Sequence, residues 1–417
     1  MPLTARVALA GLCVALCGAH ACAQTFATPL PPALGSVTLP LPAGPMAAPV
    51  LLPVGAPTLA PVAVYQYPGS PPAADCPTYS APAGGSCGSR WTVGGEFLFW
   101  FTQAGTLPPL VTAAAPGTPV PPGGSLGSGA TDVLFGGTRA GTGGRAGGRF
   151  NLGYALSPTD ALEVGFLFLE DREDRFSRRS VPGGVTFARP VVFAPTGEPT
   201  AVPVAAVDAE ATTRLIGWEG NYRRRLAGDG GSRLDLLFGY RYLHLGDRVE
   251  VAHTTPFDLL GVGGSGPGRV ADSVRTRNSF HGPQAGLDWR CPLHGRWSLD
   301  ALAKVGLGVT VARADLDGST AVGPAGVPVG LLVGPSNTLR ERDSFFAVVP
   351  EAGLGVGYQP LDAVRLSVGY TFLYWSRVRR AADQIDLSAG AADRPAFRDR
   401  TGDFWAQGVR FGLELRF

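Results

Sequence analysis

Trp405-Ala406-Gln407-Gly408-Val409-Arg410-Phe411-Gly412-Leu413-Glu414-Leu415-Arg416-Phe417 is the stretch that decides the fold. Trp405, Val409, Phe411, Leu413, Leu415 and Phe417 share one parity, and Arg410, Gly412, Glu414 and Arg416 share the other. Alternation at period 2 makes this a strand with one apolar and one polar face. Apolar outside and polar inside is also the pattern of a strand crossing a membrane as part of a barrel. One such strand is ordinary in any sandwich, so the question is whether the pattern repeats.

It does. Leu162, Val164, Phe166 and Phe168 oppose Glu163 and Gly165. Trp297, Leu299, Ala301, Ala303, Val305 and Leu307 oppose Asp300, Lys304, Gly306 and Gly308. Val364, Leu366, Val368, Tyr370 and Phe372 oppose Arg365, Ser367 and Gly369. Between such segments lie four short connections, Ser157–Asp160, Ala227–Ser232, Pro292–Gly295 and Gln359–Asp362. Five long ones cover 103–144, 171–211, 254–275, 321–344 and 378–401. Short and long alternate, so nine connections join ten strands of an all-β, antiparallel, up-and-down transmembrane barrel. Short periplasmic turns and long external loops place both termini in the periplasm. Strand directions then send Phe99, Phe101, Phe168, Tyr242, Phe346, Tyr374 and Trp405 to one rim. Trp91, Tyr154, Tyr222, Trp289, Trp297, Tyr358 and Phe417 go to the other, as two aromatic girdles.

Upstream of the barrel (90–417) the composition changes twice. Arg6, the apolar run Val7–Cys17 and the small residues Ala21-Cys22-Ala23 read as a secretory signal over 1–23, cleaved before Gln24. A lipoprotein reading fails because none of Cys13, Cys17 and Cys22 has a lipobox before it. Residues 24–89 are rich in Pro, Ala and Gly with no sustained period, and read as a disordered linker that tethers the barrel. Cys76 and Cys87 sit close enough in sequence to close a small disulfide loop, or are an incidental pair.

The whole chain is 45% hydrophobic and 16% charged, with 59 Gly and 38 Pro, which suits strands and loops better than a helical enzyme. No basic run suggests nucleic acid as a partner. Gly123-Gly124-Ser125-Leu126-Gly127 matches a nucleophile elbow and Gly261–Gly266 a dinucleotide fingerprint, yet neither follows a strand. The histidines lack metal-ligand spacing. Ser279 and His281 share a face as in a barrel-embedded hydrolase, but are read as rim or lumen residues. The expectation is therefore a non-enzyme with no catalytic residue, metal or cofactor.

Inward parity selects Glu96, Glu163, Glu219, Asp235, Arg241, Asp288, Arg290, Asp300, Lys304, Glu351, Arg365, Arg410 and Glu414. Acids and bases mix, so these line either a polar conduit or a charge-paired plug. About eight strands fill their own interior and open channels need roughly sixteen. The inward glycines Gly94, Gly153, Gly165, Gly239, Gly353, Gly355, Gly369 and Gly412 favour some free space.

The barrel residues resemble the beta-barrel porin family seven of bacterial outer membranes. The resemblance runs from Trp91 to Phe417. It includes Leu107-Pro108-Pro109-Leu110-Val111-Thr112, Val133-Leu134-Phe135-Gly136-Gly137, Arg189-Pro190, Thr276-Arg277-Asn278-Ser279-Phe280 and Val348-Val349-Pro350-Glu351. Its densest part is Gly369-Tyr370-Thr371-Phe372-Leu373-Tyr374-Trp375-Ser376, followed by Asp383-Gln384-Ile385-Asp386, Arg394-Pro395-Ala396-Phe397 and Phe404-Trp405-Ala406-Gln407-Gly408. Arg380-Ala381-Ala382 departs from the family's Arg-Pro-Gly and puts that turn in question. The resemblance implies an outer-membrane barrel and little about cargo. Two functions remain, a narrow passive pore for small solutes, or a closed structural or surface-display barrel whose long loops bind partners. The expected partners are outer-membrane lipids and the barrel-assembly machinery, which reads Phe411, Leu413, Leu415 and Phe417.

Overall fold

The computed structural model describes residues 90–417, apart from 138, 141–142, 182, 229–231, 256–266 and 323–324. The signal, the linker, the Cys76–Cys87 pair and the Gly261–Gly266 match lie outside the described residues. Ten strands form the wall: β1 (Trp91–Thr102), β2 (Gly144–Ala155), β3 (Asp160–Arg179), β4 (Ala206–Ala227), β5 (Arg233–Thr255), β6 (Gly268–Pro292), β7 (Trp297–Val322), β8 (Leu339–Leu361), β9 (Val364–Val378) and β10 (Gly402–Arg416). Each pairs antiparallel with its neighbours in sequence. β1 pairs with β10 and closes the ring. At that seam the Trp91 N–H donates to the Phe417 carbonyl at 2.9 Å, and the Phe417 N–H to the Trp91 carbonyl at 3.0 Å. Closure removes every edge of the sheet, the only arrangement of strands that lipid tolerates.

The pleat sets which residues face in. On β5, every odd residue from Arg241 to Thr255 is buried and every even one is not. Around the wall runs a belt of exposed apolar side chains, including Phe97, Phe238, Phe346, Leu366 and Phe411. Aromatic pairs mark its short-turn rim, where Trp91 and Tyr154 lie 4.8 Å apart, as do Trp297 and Tyr358. Trp289, expected in this girdle, is buried instead, in a cluster with Cys291 and Ala301. Cys291 is disulfide-bonded.

Several strands run past the expected ends. β3 continues to Arg179 and β4 begins at Ala206, well inside the 171–211 connection. The reason is an inversion of polarity. In the belt β5 points Leu236, Phe238 and Tyr240 outward; farther along it points Arg248 and Glu250 outward and Val249 and Val251 inward. Beyond the belt the outer face meets water and the inner face meets packed loops.

Those loops are ordered. Val111–Ala114 and Thr131–Phe135 from the first long connection join Thr186–Phe193 and Glu198–Val204 from the second and Ser388–Ala389 from the fifth in one five-stranded sheet. Leu107, Leu110, Leu332, Val333 and Ile385 from the loops pack against Val249, Val251, Val274 and Leu316 of the wall. The first, second, fourth and fifth long connections thus fold into a cap seated in one mouth of the barrel.

Candidate functional site

The lumen is layered along its axis. Nearest the short turns lies a polar cavity of about 370 Å³, reaching the Ser157–Asp160 turn. Its walls carry ion pairs between strands. Arg223 meets Asp288 at 2.6 Å, Asp235 at 2.8 Å and Glu163 at 3.0 Å. Asp300 meets Arg365 at 2.5 Å and Arg290 at 3.3 Å, and Arg290 meets Glu414 at 3.6 Å. Arg410 meets Glu96 at 2.7 Å.

Deeper in, the pairs span the bore. Glu351 on β8 takes Arg149 of β2 at 2.7 Å, Arg241 of β5 at 2.5 Å and Lys304 of β7 at 3.4 Å. Glu219 on β4 takes Arg241 at 2.6 Å and Lys304 at 2.7 Å. β2 and β8 are separated around the ring by β1, β10 and β9, so the Arg149–Glu351 contact crosses the interior. Burying that many charges is costly unless each is compensated, and here each has opposite charges at contact distance.

Above this lattice the lumen turns apolar. Leu98, Trp100, Leu167, Leu215, Leu245, Phe280, Leu373, Trp375 and Phe404 meet as one buried cluster. The Arg149 guanidinium lies 5.7 Å from the Trp100 ring centre, joining the two layers. Phe280 and Trp375 pack edge to face at 6.2 Å, and the Trp375 indole N–H donates to the Thr310 hydroxyl at 2.8 Å. The cap follows.

All thirteen charged residues selected by parity therefore sit in the lumen and take part in these pairs. Arg149 and Arg223 belong with them and were not selected, although stepping back by twos from inward Gly153 reaches Arg149. The inward glycines divide: Gly94 and Gly153 line the polar cavity with room for a Cβ, as expected of residues that free space, whereas others are needed for close approach. A Cβ on Gly239 would lie 2.0 Å from the Gly220 carbonyl oxygen, and one on Gly412 2.4 Å from the Ser367 hydroxyl. Gly239 and Gly412 thus permit close packing of neighbouring chain. Ser279 and His281 are on the outer wall, not in the lumen: Ser279 bonds His244 Nδ1 at 3.2 Å and His281 Nδ1 bonds the Tyr240 hydroxyl at 3.2 Å. Ser125 of the elbow-like match is buried in the cap with no helix after it.

Polar hubs hold the cap down. Asp272 of β6 accepts the Leu332 and Val333 N–H groups at 2.8 and 3.0 Å and meets Arg189 at 3.3 Å. Asp247 of β5 takes Arg380, whose guanidinium also stacks 5.5 Å from the Phe404 ring centre. Arg380 is thus fixed from below, and the residues after it form a 3₁₀ turn, Ala382–Gln384, without the Pro-Gly of the family pattern. In the same connection Asp386 accepts the Ala396 N–H at 2.9 Å, the Ser388 N–H at 3.1 Å and the Arg394 guanidinium at 2.9 Å. Burial alone would push its carboxyl up; these donors outweigh that and hold it at about 2.

Residues 93–417 match the family described as Putative beta barrel porin-7 (BBP7). The chain belongs to this family. The BBP7 barrel is thereby a bacterial outer-membrane protein, and its exposed apolar belt is the lipid-facing surface. Among solved structures, it is similar to the outer membrane protease OmpT from Escherichia coli (11% identity, 79% of this chain and 98% of that one, TM-score 0.42). It is also similar to a FadL homologue from Pseudomonas aeruginosa (11% identity, 79% and 90%, TM-score 0.26). A third likeness is to the toluene transporter TodX from P. putida (8% identity, 80% and 91%, TM-score 0.23). Comparison with curated proteins gives no match.

Proposed function

We propose that this protein is a non-conducting outer-membrane barrel that holds a folded cap at the cell surface, with its short turns and both termini in the periplasm. The observation that carries the reading is the triple closure of the bore: the Glu351–Glu219 lattice, the Trp100–Trp375 layer and the seated cap in succession. A passive pore would need all three to part, including buried pairs whose separation strands uncompensated charge. The polar cavity on the short-turn side is a vestibule in this reading, ending at Arg149 and Lys304. The cap, built from the first, second, fourth and fifth long connections, is the part that meets partners. Nor is a reaction assigned to the Ser279–His244 pair, since among the described residues no carboxylate is bonded to His244 to orient it.

Planar-bilayer recording of the purified, folded protein tests closure. The expected trace is flat; a steady single-channel conductance overturns the reading. Orientation is tested separately in intact cells with a membrane-impermeant maleimide. Ala115→Cys in the cap is expected to label and Pro158→Cys in a short turn is not, each against the background of the parent protein; the reverse pattern overturns the orientation.

A further inference from the structure

On the outer wall, just past the long-loop rim of the apolar belt, Arg277 of β6 stands opposite Arg313 of β7, and Arg313 opposite Arg342 of β8. One step farther from the belt, Arg248 stands opposite Arg275, Arg275 opposite Asp315, and Asp315 opposite Arg340. All share the outward parity of the exposed Val309 and Phe346. Glu250 is committed to Arg248 and Arg275, and Asp315 to Arg277 at 2.8 Å. Arg313, Arg340 and Arg342 are exposed and make no ion pair with any described residue.

Like charges directly across neighbouring strands repel; Arg277 is held by Asp315, so it is the Arg313–Arg342 pair that costs stability unless something compensates it. Their depth says what that is. Arg313 lies four residues along β7 from Val309, and Arg342 four along β8 from Phe346. At roughly 3.3 Å per residue, foreshortened by strand tilt, that is about 10 Å beyond the belt, the level of lipid headgroups. A guanidinium fork there matches a phosphate oxygen pair.

We propose that Arg313 and Arg342, flanked by the Asp315-paired Arg277, form a binding site for phosphate-bearing anionic lipid headgroups, on one flank of the barrel. The ligand is a lipid because the site opens sideways, above exposed hydrocarbon-facing side chains, and so receives a headgroup whose chains lie along Val309 and Phe346. The site does not depend on which leaflet this is; in the orientation proposed above it is the outer one. It gives the barrel one preferred lipid-facing flank, beside a wall where Arg175 and Arg214 are already neutralised by Glu210 and Asp171.

The test is lipid retention by the folded full chain in mixed micelles of phosphatidylcholine and phosphatidylglycerol, read by native mass spectrometry after dilution. Wild type is expected to retain phosphatidylglycerol preferentially. Arg313→Gln and Arg342→Gln are each expected to lower that retention about fivefold, the effect of one arginine at a charged lipid surface. Arg175→Gln, on the neutralised flank, is expected to leave it unchanged. Equal retention of the two lipids by wild type overturns the proposal, as does an equal fall in all three variants. Displacement of the lipid by inorganic phosphate would make this a free-anion site and overturns the lipid assignment. Heat-modifiable mobility checks the fold of each variant, and the wild-type preference alone keeps the proposal falsifiable should one not fold.

Discussion

Asn278 and Arg379 exchange two hydrogen bonds: the Asn278 amide oxygen accepts the Arg379 N–H at 2.7 Å, and its nitrogen donates to the Arg379 carbonyl at 2.8 Å. Asn278 is an inward residue of β6 with no exposed surface, and Arg379 starts the fifth long connection. One side chain of the wall thus substitutes for a strand partner and pins the point where the chain leaves the barrel for the cap. Asn278→Ala leaves both backbone groups unpaired in a dry site, at a cost of roughly 2–3 kcal/mol. The expected outcome is protease cleavage within 379–401 while the barrel stays heat-modifiable. Cleavage unchanged from wild type would mean that the cap's apolar contacts alone hold this connection.

Parity made the belt legible in the sequence, and with it the strand count, the alternation of turn lengths and the thirteen lumen charges. Two things escaped. Past the belt the alternation survives with its polarity reversed, as from Phe238 and Arg241 to Val249 and Glu250, so a search for apolar-out strands stops early. The cap is also silent. Val111–Ala114 is buried on both faces and shows no period, and its partner Thr186–Phe193 comes from a different connection. Pairing between distant, short, fully buried strands leaves no local trace.

The lattice and the apolar layer predict different consequences of mutation. Glu351→Ala strips Arg149, Arg241 and Lys304 of a shared partner that is itself buried. The expected loss is about 3–5 kcal/mol, as for breaking other buried pairs. Conductance is nonetheless expected to stay at zero, because the Trp100–Trp375 layer closes the bore independently. Melting and bilayer recording on the same preparation check both; channel activity in this variant would show that the charges were the only seal.

Neighbouring positions on β9 should behave oppositely. Leu366 is exposed in the belt, opposite Leu413, whereas Ser367 lines the vestibule opposite Gly412. Leu366→Arg places a charge on the lipid face, level with Tyr358 of the short-turn girdle, and should cost about 1 kcal/mol. Ser367→Asn should be mild, since the new amide meets a polar cavity. Equal costs in a folding titration in vesicles would contradict the assignment of faces.

Acid should loosen the cap before the wall. The Asp386 carboxyl, held at about 2 against an ordinary value near 3.9, contributes stability that is complete above the ordinary range. That contribution fades as pH falls from about 4 through about 2, where protonation releases the Ala396, Ser388 and Arg394 donors. Pepsin digestion of the detergent-folded protein should therefore cut 379–401 faster at the acid end of that window. Asp386→Asn removes the titrating group, and its cleavage relative to a barrel-internal control should not change with pH. The same pH dependence in that variant would assign the effect to another carboxyl.

Phe417 has two separable roles at the seam. Its backbone exchanges bonds with Trp91 and so joins the first strand to the last. Its ring is exposed and continues the outward file of Phe411, Leu413 and Leu415 along β10. β10 is the strand that closes the ring, since it pairs with both β9 and β1. We expect this outward file to be read by the barrel-assembly machinery before closure, when β10 still lacks β1. If the ring only anchors the girdle, its removal costs no more than its buried area, on the order of 2 kcal/mol. Phe417→Ala keeps both backbone bonds and removes only the ring, which separates the roles. The assembly reading predicts a reduced fraction of compact, heat-modifiable protein in the outer membrane, while the molecules that do assemble melt nearly as wild type does. Normal yield combined with lowered melting would leave the ring as a girdle residue and nothing more.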